Sequence, residues 1–180
     1  MNQQSDYFHH ETERLILRRL QNSDIDKWAG FFTDNPSLHF MGIMNTGETK
    51  NYSHREQSKK WIDIQFERYQ QTGYGLLAVI SKETGNLIGQ AGISEKELED
   101  KTEHEIGYSL MPSEWGKGYA SEMSSILVNY AVKHKINRRI ISIIHVDNLA
   151  SQNVARKNKM KVLFKTRYKQ MDVDVYGRDI

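Results

Sequence analysis

The stretch Ser113-Glu-Trp-Gly-Lys-Gly-Tyr-Ala-Ser-Glu122 carries residue types suited to holding a phosphorylated ligand. Gly116 and Gly118 fall between the end of an expected strand and the start of an expected helix. A glycine pair there lets successive backbone N–H groups turn towards one point, and the helix adds the positive end of its dipole. Lys117 supplies a further cation. Such a cradle suits phosphate or pyrophosphate, yet neither common nucleotide motif is present. A Walker loop requires Ser or Thr after its lysine, where this chain has Gly118. The dinucleotide fingerprint requires glycine at the place of Ser121 and follows the first strand of a fold. On the residues alone, a plain strand–helix turn with glycines for tight packing explains the stretch equally well.

The elements that must position this loop come from a chain of 180 residues and 21.0 kDa, a length that fits one domain. At that size roughly 70% of the unfolded surface is buried on folding, enough for a self-sufficient core. Hydrophobic residues at 38% and charged residues at 27% describe a soluble globular protein. The charge sum, 25 minus 23, is too small to announce a nucleic-acid arm or an anionic membrane partner. The absence of cysteine excludes disulfides, thiolate metal sites and a cysteine nucleophile. The seven histidines show no metal-binding spacing, so no metal is expected. Met1–His10 lacks the apolar region of a signal peptide, and no run approaches the ~18 apolar residues of a membrane span. A cytoplasmic location is the expectation.

Residues 1–11 read as a flexible tail, with His9 and His10 part of it, and 12–180 as a single domain. Arg14–Leu20 patterns as a strand, and Ser23–Asp26 resembles a capping box opening a helix with an Ile25, Trp28, Phe31 and Phe32 stripe. Met41–His54 reads as a loop. A second helix is expected from about His54 to Gln71, with Ile62, Phe66 and Tyr69 inward. Strands Tyr74–Ser81 and Leu87–Ile93 flank a Gly85-Asn86 hairpin turn. A charged turn over Glu95–Lys101 then leads to a strand over Glu103–Met111. Its alternation puts Ile106, Tyr108 and Leu110 on one face, and Glu105, Gly107 and Ser109 on the other. Met123, Ile126, Leu127, Tyr130 and Ala131 mark a helix from about Tyr119 to Lys135. Arg139–Val146 is apolar enough to be buried on both faces. Asp147 or Asn148 caps a short helix reaching about Lys157, and strands Met160–Lys169 and Asp172–Tyr176 follow. Hairpins followed by β–α–β–α–β imply an α/β (α+β) fold, a mixed sheet with helices on both faces.

Four stretches give the chain a family resemblance: 12-TERLILRRL-20, 34-DNPSLHFMG-42, 105-EIGYSLMPSEWGKGYASE-122 and 148-NLASQNVARKNKMK-161. In order and spacing they resemble the GNAT family of acetyl-CoA-dependent N-acetyltransferases, in its RimJ/RimL-like branch. The resemblance implies a mostly antiparallel sheet of about six or seven strands, splayed between the fourth and fifth, with about four helices. Trp115-Gly-Lys-Gly-Tyr-Ala120 matches the family loop Q/R-x-x-G-x-G/A, although Trp115 stands where Gln or Arg is general. It implies that backbone N–H groups from Gly116 to Ala120 (Lys117, Gly118 and Tyr119 between them) hold the pyrophosphate of acetyl-CoA. Ser121 adds a hydrogen bond, and the backbone of Leu110 and Met111 pairs with the pantetheine arm.

The resemblance also places a glutamate that often acts as base in the Glu105 strand. Beside an apolar tunnel its carboxyl would have a raised pKa. An exposed strand carboxylate paired with His104 or Lys96 is the other reading. Asn148 and Ser151 match N-x-x-S before a short helix. Asn148 can cap the helix, reach a pantetheine amide, or both. Ser151 can hydrogen-bond the departing thiolate or its own helix backbone. Many relatives carry a tyrosine acid in that helix, and 148–160 contains none, which leaves Ser151 or a water. Lys157 matches a basic position near the CoA phosphates, or is a solvated lysine. Lys159 stands at the usual glycine position, with Asn158 expected to adopt the left-handed helix stop.

With no cysteinyl intermediate available, transfer to an amine by direct attack in a ternary complex is expected. The acceptor, a small molecule or a protein N-terminus, would meet the first two helices, the Met41–His54 loop and the loop before the last strand. Trp28, Phe31, Phe32, His39, Phe40, Tyr52, Glu48, Glu56 and Asp63 belong to those parts. A non-catalytic CoA-binding module on the same fold is the rival. A nucleic-acid partner is not expected, and the chain is either a monomer or a homodimer whose apolar last strand leaves edge pairing open.

Overall fold

The computed structural model describes residues 6–42 and 50–180. Residues 43–49, which belong to the expected Met41–His54 loop and include Glu48, lie outside the described residues. Eight strands form one sheet: β1 (His9–Glu11), β2 (Leu15–Arg18), β3 (Gly75–Ser81), β4 (Leu87–Leu98), β5 (Lys101–Leu110), β6 (Arg139–His145), β7 (Lys161–Tyr168) and β8 (Met171–Asp179). Their spatial order is β1-β2-β3-β4-β5-β6-β8-β7. Every neighbouring pair is antiparallel except β5 and β6. Four α-helices accompany them: α1 (Asp24–Trp28), α2 (His54–Gln71), α3 (Tyr119–His134) and α4 (Leu149–Lys157).

Alternation along β3 assigns the layers. Leu77 and Val79 join the larger core with Met123 and Leu127 of α3, whereas Ala78 between them joins Trp28, Phe31 and Ile62 on the opposite face. Strand period 2 thus separates α3 from α1 and α2. Trp28 and Phe31 stack at 4.3 Å between centroids, so the first-helix aromatics serve the core.

Several expectations change. Residues 6–11 are ordered structure: Tyr7 is fully buried, with its hydroxyl accepting from Ile93 N (2.7 Å) and donating to Gly75 O (2.5 Å). His10 packs its ring on Tyr7 and Tyr130. Ser23 makes no capping hydrogen bond to α1. Its neighbour Asp24 instead folds back to accept from Gln21 N and a two-pronged Arg18 guanidinium at 2.7 and 2.8 Å. The capping box occurs at Ser53 and Glu56, opening α2. The charged stretch Glu95–Lys101 is mostly strand, because Glu99 and Asp100 turn in two residues with φ of 49° and 60°. The last strand β8 lies inside the sheet, and β7 forms the edge, with Val162 and Leu163 exposed. The left-handed stop after α4 is Lys159 (φ 62°), while Asn158 keeps a negative φ and donates to Ser124 Oγ at 2.8 Å.

Candidate active site

The loop between β5 and α3 is held from outside by the residues just before β2. Arg14 sends its guanidinium to Glu122 (2.6 Å) and to the Lys117 carbonyl (3.0 Å), while lying 4.5 Å above the Tyr119 ring. Thr12 Oγ1 and Arg14 N donate to the same carboxylate at 2.6 and 3.0 Å. Burial pushes the Glu122 carboxyl up, but these donors and the guanidinium leave it below its ordinary value. Gly116 and Gly118 have φ of 78° and 82°, the left-handed region that a side chain resists. Gly118 is the N-cap of α3, and Glu122 N makes the bond back to Gly118 O. The N–H groups of Tyr119, Ala120 and Ser121 therefore belong to the helical turn that has no acceptor of its own. Lys117 is exposed, paired with Glu114 at 2.9 Å, which holds its pKa above the ordinary value.

Beside the loop the sheet opens. β5 and β6 share one Cα pair, Glu105 with Ile141, and no further pairing follows towards Leu110. Met111 N donates to Ile88 O. By strand alternation the odd-numbered residues of β5 thus direct their backbone groups to β4, and Ile106, Tyr108 and Leu110 direct theirs to the gap. Ser142 Oγ donates to Ile106 O at 2.9 Å, and the Trp115 indole to Leu110 O at 3.1 Å. Met111 is occupied at both ends, because its carbonyl accepts from Glu114 N. The open backbone in this strand is that of Tyr108 and the N–H of Leu110.

Two cavities meet at the gap. One, of about 220 Å³, runs between the loop and α4, lined by Leu110, Trp115, Ala120, Asn148 and Ser151. The other, of about 270 Å³, lies over Glu105, Gly107 and Ser109. Phe40, Met41, Tyr108, Ser109, Asn148 and Ser151 line both, so they form one continuous channel. Glu105 is half-buried, its side chain 17% exposed, and it pairs with Lys96 at 3.6 Å, the partner that the other reading named. Burial pushes the Lys96 pKa down, against the pull of Glu105.

Asn148 accepts from Ser151 N at 3.1 Å, capping α4. Ser151 turns its carbonyl to the Tyr108 hydroxyl (3.4 Å), and burial pushes that phenol up to about 12. The structure thus brings together Glu105, Leu110, Trp115, Ala120, Asn148 and Ser151 along one channel. It leaves Met111, Gly116, Lys117, Gly118, Tyr119 and Ser121 outside both cavities, as well as Lys157, exposed at the end of α4. Tyr108, Lys96 and His145 are channel residues that the sequence analysis did not select. Tyr108 alternates with core residues and so reads as core. Its signal is an amphipathic ring on the strand expected to border the splay.

Comparison with known proteins agrees with this geometry. The model of the acetyltransferase (GNAT) domain matches residues 14–161. The chain is 27% identical over 171 residues to YkkB, an uncharacterized protein of Bacillus subtilis, covering 93% of each. It is 30% identical over 140 residues to the uncharacterized N-acetyltransferase p20 of Bacillus licheniformis, covering 78% of this chain and 75% of that one. Among solved structures, an acetyltransferase from Agrobacterium tumefaciens superposes with a TM-score of 0.76 at 25% identity, over 96% and 94% of the two chains. RimL, a ribosomal L7/L12 α-N-protein acetyltransferase solved with CoA, shares the fold at a TM-score of 0.73 and 20% identity, over 94% and 96%. The splayed sheet, the glycine loop heading α3 and the match over 14–161 place this chain in the GNAT family of acetyl-CoA-dependent N-acetyltransferases.

Proposed function

We propose that this protein, as one catalytic domain, moves the acetyl group of acetyl-CoA to a primary amine by direct attack in a ternary complex. The observation that carries this reading is the channel running from the glycine loop, through the β5–β6 gap, to the half-buried Glu105. The pyrophosphate sits on the N–H groups of Gly116–Ser121. The pantetheine arm follows the gap and pairs with Tyr108 and Leu110, while Asn148 flanks it. Met111 is replaced in that role, since both its backbone groups are engaged.

Glu105 accepts the proton of the attacking amine, through water where the acceptor stands off. Lys96 beside it keeps the carboxylate oriented. Tyr108 protonates the departing thiolate. Its phenol stays neutral at ordinary pH, so it can donate where charge develops on sulfur. Ser151, whose carbonyl fixes the Tyr108 hydroxyl, is the second candidate for that donation. RimJ/RimL-like chemistry on an α-amino group is consistent with the shared fold of RimL, and a small amine fits the same channel.

Thermal denaturation with acetyl-CoA tests the first half: saturation at 100 times Kd adds about 2.7 kcal/mol of stability. No shift at millimolar ligand overturns the reading. Thiol release across an amine panel tests the second half. Tyr108→Phe should lower kcat more than Ser151→Ala, and the reverse order assigns the acid to Ser151.

A further inference from the structure

Of the acidic residues expected near the acceptor, Glu56 and Asp63 do not line the cavity over Glu105, and Glu48 lies outside the described residues. Glu56 caps α2, and Asp63 pairs with Lys59 on that helix. Among the described residues, the cavity wall contains three cations, Arg68, Lys96 and Lys169, and one carboxylate, Glu105. Lys96 and Glu105 offset each other at 3.6 Å. Arg68 and Lys169 come from different elements, α2 and the turn between β7 and β8, and face the same space. Arg68 donates to Gln65 Oε1 at 3.3 Å, and the Lys169 ammonium lies 5.6 Å from the Tyr168 ring centroid. Among the described residues, neither has a carboxylate within ion-pair distance. Both cations act on half-buried Lys96, adding to the lowering of its pKa by desolvation.

We propose that the acceptor is a small amine carrying an anionic group, carboxylate or phosphate, which Arg68 and Lys169 hold while the amine meets Glu105. This inference rests on the transferase reading above and names its substrate class. The charge arithmetic supports it: an anion joins two uncompensated cations, and the ammonium end approaches the one carboxylate. A polyamine would set cation against cation. The volume of about 270 Å³, near the lower end for small-molecule sites, favours a small acceptor.

The test measures kcat/KM for matched acceptors in the wild type and in the Arg68→Gln/Lys169→Gln double variant. The pairs are alanine with alaninamide and O-phosphoethanolamine with ethanolamine, and spermidine is the cationic control. The wild type should favour at least one anionic member by about tenfold, the yield of one charge-assisted contact. Whichever pair shows the preference identifies carboxylate or phosphate as the source. The double variant should lose that preference through KM, with kcat and the acetyl-CoA thermal shift unchanged, and Arg68→Lys should restore part of it. Equal rates within both pairs, faster turnover of spermidine, or a preference that survives in the double variant would overturn the proposal and leave acyl transfer standing. If no amine releases thiol while acetyl-CoA still stabilises the protein, the transferase reading fails. In that case the acidic-ligand proposal survives only if alanine or O-phosphoethanolamine stabilises the CoA-loaded wild type and not the double variant.

Discussion

The two ends of the channel are built differently. At the glycine loop the proposed ligand contacts are backbone N–H groups, and the side chains of Thr12, Arg14 and Glu122 hold the loop from behind. Around Glu105 the contacts are side chains drawn from α2, β4, β5, β6 and the β7–β8 turn. A backbone cradle is a local property of ten residues and serves one constant ligand. A side-chain wall is a property of the whole fold and can change with each substitution. Chemistry common to a family suits the first construction, and acceptor choice suits the second.

Glu105→Gln separates the ends most strongly. If Glu105 is the base, kcat should fall by ~10²–10⁴, the usual worth of a positioned base, while acetyl-CoA still raises the melting temperature. Steady-state thiol release and thermal denaturation on one preparation check both halves. Full turnover in this variant would move the base elsewhere.

Gly118→Val should do the opposite. Its φ of 82° forces the branched side chain into the left-handed region, although the nearest atom to a new Cβ, Arg14 Nη2, is 3.5 Å away. The loop must therefore rearrange for conformational rather than packing reasons. The acetyl-CoA shift of about 2.7 kcal/mol at 100 times Kd should disappear, while urea unfolding of the apo protein moves far less. An intact shift would mean that the cradle does not depend on this backbone geometry.

This contrast also explains what was legible in the sequence. Ser113–Glu122 carries its geometry in local glycines, and the α3 stripe from Met123 to Ala131 follows a clean 3.6 period, so both match the structure closely. The splay follows from the resemblance and agrees with the single Glu105–Ile141 pair. Tyr108 was hidden because period 2 assigns it to the core face, and only the missing neighbour strand turns that face into a channel. Arg68 and Lys169 were hidden for a related reason. They lie about a hundred residues apart in sequence, and nothing local marks either as facing Glu105. Ser23 misled because Asp24 offers Gln21 N and Arg18 stronger, charge-assisted bonds than a serine cap provides.

Glu122→Gln probes the outer support of the loop. Removing the carboxylate that Thr12, Arg14 N and the guanidinium share should cost about 1.5–3 kcal/mol. The pH dependence has a definite sign. The folded carboxyl titrates below its unfolded value of roughly 4.3, so its contribution is complete above that pH. It is lost as pH falls through the lower, folded value. Chemical denaturation between pH 7 and pH 3 should therefore show wild type and variant converging as pH falls. A constant gap would assign the loss to packing rather than to ionisation.

Lys159 sharpens the comparison from outside both ends. It holds φ of 62°, the same left-handed region as Gly116 and Gly118, yet it is a lysine at the end of α4, away from the loop. Its α4 stop is fixed by neighbours: Lys159 N bonds to Arg156 O, Met160 N to Ala155 O, and Asn158 is tied to Ser124. Surrounding contacts can therefore impose a left-handed residue at a cost of ~1–2 kcal/mol. Lys159→Gly removes that cost but gives the unfolded chain more freedom, which returns about 0.4–1 kcal/mol. The net stabilisation should be about 1 kcal/mol or less, visible as a small rise in melting temperature with no change in turnover. Ala at the same position should gain nothing, because it keeps the Cβ. At Gly118 the neighbouring bonds run through carbonyls, Lys117 O to Arg14 and Gly118 O to Glu122 N, and in the proposed cradle the N–H groups that follow stay free for the ligand. On the proposed reading, glycine is required where the backbone itself is the binding group, and it is optional where the backbone merely turns.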